Sequence, residues 1–409
     1  LRLQHPEHPG RPVRLAYCLN LHAADDLAGT LEGIRRITLP LRDRLQPPGL
    51  FGVGLYLPAL VARELEASVT ERDRLSSFLE AERLDPYTFN AFPFGGFHDA
   101  GLKRGVFAPT WCQPERLRYT QAVARIARAL NPSGEGHISI STHPGRFGPW
   151  AEGEFELALE HLGACVATLV ELEQNGAPSL RLALEAEPRA VAGDTNTCAE
   201  LLERLHVGLA ERFGTEIVER HLGLCLDACH SAVEFEDPLR AVELATRTPL
   251  GKLQYSSAIS LCEPGRNADG RSALLALDEP RYLHQTTGRH GGGELRVDDL
   301  PELARACENS DSPWLACEEW RTHFHVPVDL ERLGGEGLGT TREHAATILR
   351  ALLATPERWG SGELHVEIET YTWDILPGPA RLDGELVGGL EREYAHVLSV
   401  LAEQGWSPS

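Results

Sequence analysis

Residues 222–235 read LGLCLDACHSAVEF, an apolar run that ends on Asp227 with His230 three residues later. Asp is a common first residue of a turn, so one such ending means little. The chain repeats it. LRLALE ends on Glu185 with Glu187 two residues on, GKLQYS presents Gln254, and ELHVEIET presents Glu367 and Glu369. HISIST runs into His143, YTFNAF offers Asn90, and the first apolar run leads to His22. A later segment, THFHVPVD, adds His323 and His325. Oxygen and nitrogen donors on four consecutive strands suit one divalent cation, Mn²⁺, Mg²⁺ or Zn²⁺. Three carboxylates around one mouth repel each other; a divalent ion keeps all three charged, and without it at least one binds a proton. Taken singly, the residues have plainer uses. His22, His98 and His284 read as loop histidines, and Glu367 as a partner for a polar group on a neighbouring strand.

The elements that must position these groups alternate. Strand-length apolar runs at 13–18, 51–57, 87–92, 137–142, 180–185, 222–227, 251–256 and 363–370 are separated by amphipathic stretches such as PERLRYTQAVARIARAL. That rhythm is the pattern of parallel β/α units, and eight of them close a barrel. The fold class predicted is α/β, a (β/α)8 TIM barrel in a single domain over 1–409. An open doubly wound sheet is disfavoured, because the first β-to-α turn, YCLNLHAADD, has no G-x-G-x-x-G. Two regions break the rhythm. Residues 93–113 form a Gly/aromatic loop after strand three, and 258–320 form an insertion after strand seven that reads as a cap. The run 322–329 brings the chain back to the barrel.

Composition narrows the chemistry. The net charge of −21 repels phosphate backbones, so no nucleic-acid partner is expected. The nine cysteines include no CxxC and read as buried hydrophobes in a reducing compartment. No charged-then-apolar leader opens the sequence, and no apolar run approaches the ~20 residues of a membrane helix. The reading is a soluble, cytoplasmic protein of unspecified oligomeric state.

The order Glu, D-x-x-H, Gln, Glu on strands five to eight, in LEAEP, LDACH, GKLQYS and EIET, resembles the xylose isomerase-like barrels. That group includes sugar isomerases, ketose epimerases, hydroxypyruvate isomerase and endonuclease IV. A wider resemblance runs through AYCLNLH, FNAFPFGGFH, CHSAVEFEDP, YLHQTTGR, HFHVPVDLERLG and VEIETYTWDILP. These segments look like the metabolite traffic protein EboE family, placed in the same superfamily and linked to handling of small prenylated or secondary metabolites. The resemblance implies Glu185, Asp227, Gln254 and Glu369 as metal ligands. It implies His230 as a contact to substrate or to a second metal. His143, His323 and His325 resemble positions that hold extra zinc ions in endonuclease IV, where Asn90 replaces a histidine.

Three functions are open on this reading. The first is metal-dependent isomerisation or epimerisation of a small hydroxy-carbonyl, sugar-like metabolite. In it Glu185 and Glu369 relay a proton, His230 orients a substrate oxygen, and Phe92, Phe94, Tyr371 and Trp373 wall the pocket. The second is a barrel that binds or escorts a metabolite without turning it over. The third is metal-dependent phosphodiester cleavage of the endonuclease IV type, which the negative charge places last.

Overall fold

The computed structural model describes residues 1–131, 136–174, 178–334, 337–360, 362–376 and 383–409. Eight parallel strands make the centre: β1 (Val13–Tyr17), β2 (Phe51–Tyr56), β3 (Leu84–Asn90), β4 (His137–Thr142), β5 (Ser179–Glu185), β6 (Leu222–Asp227), β7 (Leu250–Tyr255) and β8 (Leu364–Ile368). Each overlaps a run expected from the sequence. The ladder runs β1–β8–β7–β6–β5–β4–β3–β2, and a parallel bridge from Cys18 to Gly54 joins its two ends. The chain is therefore a closed (β/α)8 barrel.

Closure depends on two glycines of β2. A Cβ on Gly52 would lie 2.7 Å from the Leu15 carbonyl oxygen, and one on Gly54 would lie 1.5 Å from Glu367 Oε1. Their missing side chains let β1 approach and leave room for a carboxylate inside the barrel. That carboxylate meets Lys252 Nζ at 2.5 Å, with both side chains fully buried.

The outer helices form for ordinary reasons. Pro114–Leu130 starts on proline and buries Tyr119, Val123, Ile126, Ala127 and Leu130, a stripe at three- and four-residue spacing. Each large apolar side chain so buried contributes about 1.5–3 kcal/mol. Thr195–Phe213 opens with a capping box between Asp194 and Thr197.

Between β7 and β8 lies a six-stranded antiparallel sheet with strands from Ile259–Cys262 to Leu338–Thr340, so its pairing continues beyond residue 320. It has a core of its own, including Leu261, Leu274, Leu303, Trp314 and Trp320. Only Thr322 of the run 322–329 is in a strand; residues 323–328 cross the barrel mouth as irregular chain. The loop after β3 is tied to this cap by main-chain bonds, Gly101 N to Pro280 O at 2.6 Å and Lys103 N to Arg281 O at 2.8 Å.

Candidate metal centre

Asp227 ends β6 and caps the short helix Ala228–Val233. Its Oδ1 accepts from the His230 backbone N–H at 2.8 Å and from Ser256 Oγ at 2.9 Å. Its Oδ2 is buried and has no partner among the described residues. Carboxylate oxygens of Glu185, Asp227 and Glu369 lie within 4.8 Å of one another. Gln254 is the register partner of Asp227, and both polar atoms of its buried side chain also lack partners. Burial, then repulsion from neighbouring carboxylates, raises the Glu185 and Glu369 carboxyls well above the carboxylate range. Unsatisfied oxygens and crowded acids are what a divalent cation relieves, so this donor set fits one.

Directly above lies a second cluster. His230 Nδ1 donates to Ala186 O at 2.7 Å, His325 Nδ1 to Glu369 O at 3.0 Å, and His323 Nδ1 to Gln285 Oε1 at 2.7 Å. Carbonyl oxygens only accept, so all three Nδ1 atoms carry hydrogen, and each ring that is neutral presents a lone pair at Nε2. Those atoms converge: His230 Nε2 is 3.1 Å from His323 Nε2 and 3.3 Å from His325 Nε2. Glu187 Oε2 lies 3.2 Å from the same His230 nitrogen. The point where they meet holds either a proton or a cation. Burial opposes a charge on His230, but Asp227 and Glu187 outweigh it and raise its pKa. Burial and the neighbouring imidazoles push His323 well below its usual range, and burial takes His325 to about 4. Burial lifts Glu187 to about 7.

A pocket opens over both clusters. Its floor is Asn20, Asn90, Glu185, Glu187, His230, His323, His325 and Glu369; its walls include Phe92, Phe97, Leu102, Val106, Tyr282 and Tyr371. Asp227 and Gln254 lie beneath that floor, fully buried. Other residues singled out in the sequence do not line it. His143 packs on Phe92 and Phe107 and reaches the Pro109 carbonyl at 3.3 Å. His22 bonds Tyr17 Oη at 3.0 Å, and Phe94 packs on Tyr119. Trp373 Nε1 donates to Glu393 at 3.2 Å, and Glu367 serves Lys252. Asn90 instead orients Glu369, with its Nδ2 donating to Oε1 at 3.0 Å.

Three contributors were not named as site residues from the sequence. Asn20 donates to the same Glu369 oxygen at 2.8 Å. Gln285 holds His323 and also donates to Glu187 Oε1 at 2.9 Å. Lys252 stands two residues before Gln254 on β7, where strand alternation alone puts both on one face. Another trio, His137, Glu363 and His365, gathers around the opposite ends of β4 and β8. Its two rings stack at 3.9 Å and 5°. Their in-plane lone pairs run in parallel planes and do not meet on one ion.

The fold and this mouth define the class: a (β/α)8 barrel with a carboxylate cluster and an imidazole cluster at the C-terminal ends of its strands. No family model matches the chain, and no curated protein matches it. Solved structures that it is similar to include a xylose isomerase domain protein from Planctomyces limnophilus, with 12% identity over 90% of this chain and 91% of that one and a TM-score of 0.46. The IOLI protein with a binding zinc atom shares 12% identity over 96% of this chain and 99% of that one, with a TM-score of 0.45. L-ribulose 3-epimerase shares 13% over 96% and 95%, TM-score 0.47. D-psicose 3-epimerase in the presence of D-fructose shares 10% over 95% and 99%, TM-score 0.48. The barrel stands on the chain's own strand order, and the chemistry on its own side chains.

Proposed function

We propose that this chain is a divalent-metal-dependent isomerase or epimerase of a small hydroxy-carbonyl, sugar-like compound. The observation that carries the reading is the buried set on β5 to β8. Glu185, Asp227 and Glu369 stand together, with Asp227 Oδ2 and the Gln254 amide left without partners. These four would hold the ion, which supplies Lewis-acid charge beside the substrate's oxygens. Glu185 removes the proton next to the carbonyl, and Glu369 returns one from the other side. Glu187, with a pKa near 7, is suited to exchange that proton with a substrate hydroxyl. His230 orients a substrate oxygen, and Phe92 and Tyr371 keep water from the reacting carbon. The EboE-like motifs support a secondary-metabolite setting for this chemistry.

The test is proton exchange. Metal-loaded protein is incubated in D2O with D-fructose, D-allulose and L-ribulose, and deuterium entering beside the carbonyl is followed by NMR. Exchange with at least one ketose is expected, and Glu369→Gln should lower it by ~100-fold or more. Equal exchange by the variant sinks the assignment.

A second reading rests on the converging Nε2 atoms of His230, His323 and His325. A second cation held there would make the mouth a two-metal hydrolytic centre of the phosphodiesterase kind. Metal analysis separates the two. One equivalent at full loading supports the isomerase; two, with turnover of bis(p-nitrophenyl) phosphate, support the hydrolase.

A further inference from the structure

Asn20 sits in the short turn Leu19–His22 that follows β1. The orientation of its amide follows from its neighbours. Phe92 N–H donates to Asn90 Oδ1 at 2.9 Å, so the Asn90 nitrogen faces Glu369 Oε1. That oxygen is an acceptor, and Asn20 Nδ2 donates to it as well, at 2.8 Å. Asn20 Oδ1 therefore points away from Glu369. It is buried and has no partner among the described residues, in a side chain that lines the mouth. The backbone beneath is fixed too, since His98 Nε2 donates to the Asn20 carbonyl at 2.7 Å.

We propose that Asn20 Oδ1 is the specificity-determining acceptor of this site and reads a hydrogen-bond donor on the substrate. A hydroxyl or amine beside the chelating oxygens satisfies it. A methyl group leaves it bare, and a second carbonyl sets lone pair against lone pair. An acceptor held in place before the ligand arrives discriminates strongly, because the wrong ligand buries it unpaired. The substrate class narrows accordingly, to compounds that carry a free O–H or N–H next to the carbonyl oxygen rather than deoxy or dicarbonyl analogues. This rests on the reading that an oxygen-chelating ligand enters the metal mouth.

The experiment compares the N-methyl hydroxamates of glycolic and of acetic acid, which share a chelating head without an N–H and differ by one hydroxyl. Binding to the Mn²⁺-loaded protein is measured by calorimetry. The wild type should favour the glycolic hydroxamate by about 10-fold or more. Asn20→Ala, or Asn20→Leu should the smaller residue not fold, should bring the two within about 2-fold. Asn90→Ala loses the other amide on Glu369 and should keep the preference while weakening both ligands. Equal binding by the wild type, or an intact preference in both Asn20 variants, overturns the proposal. Binding of neither hydroxamate by the loaded wild type overturns the metal-centred reading and this proposal with it.

Discussion

At the scale of single residues, the site turns on carboxylates that are half satisfied. Asp227 spends one oxygen on a helix cap and leaves the other bare. Glu369 has both amides of Asn20 and Asn90 on Oε1. Because burial and repulsion raise the Glu185 and Glu369 pKa values, folding of the metal-free protein takes up protons. The sign follows from linkage. Metal-free stability is fully present below the ordinary value of 4.5 and falls as pH rises through the raised values. Thermal melts of chelator-treated protein from pH 5 to 9 should show that decline, and saturating Mn²⁺ should lessen it. Glu185→Gln should make it shallower without metal; an equally steep metal-free decline in that variant would refute the account. Much of this cluster was legible, since Glu185, Asp227 and Glu369 repeat an acidic ending on several apolar runs, which one turn-forming Asp does not explain. Asn20 and Gln285 escaped because neither stands at the end of one of the eight barrel strands, where Gln254 and Asn90 were read. Gln285 also reaches the site from the cap, which only the folded chain brings near.

At the scale of elements, the strands were readable because alternation and length coincide, and the layer inside them was not. Barrel interiors are normally packed with branched apolar residues. Here Lys252 on β7 and Glu367 on β8 form a fully buried pair, with Gly54 on β2 leaving the space. Burial alone would discharge the lysine, but Glu367 more than offsets it. Lys252→Met should cost about 3–5 kcal/mol, since it strands a carboxylate in the core. The double variant Lys252→Met/Glu367→Leu should recover most of it. Urea unfolding measures both, and a double variant no better than the single one would mean that the pair is not coupled. The cap was legible only as apolar sequence. Its sheet joins strands of two to five residues far apart in the chain, too short for periodicity to register.

At the scale of the whole molecule, the loop after β3 and the cap meet over the mouth. Lys103 Nζ lies 2.8 Å from Asp299, and Arg104 pairs with Asp298. These pairs are partly exposed, so each contributes little to global stability, about 0–1 kcal/mol. Their effect is local. Asp299→Asn combined with Asp298→Asn should leave the melting temperature within a few degrees while speeding proteolysis between residues 93 and 113. Raised salt should do the same to the wild type. Unchanged cleavage would show that the main-chain bonds alone hold the loop.

Seven of the eight junctions between staves are ladders, and the eighth, between β1 and β2, is a single bridge. Asn20 extends from one side of that seam, and Asn90 stands on β3 beyond it; both grip one oxygen of Glu369. That carboxylate thus works as a staple across the loosest joint of the hoop. Whatever engages Glu369 from above therefore touches the same carboxylate that ties the two sides of this joint together.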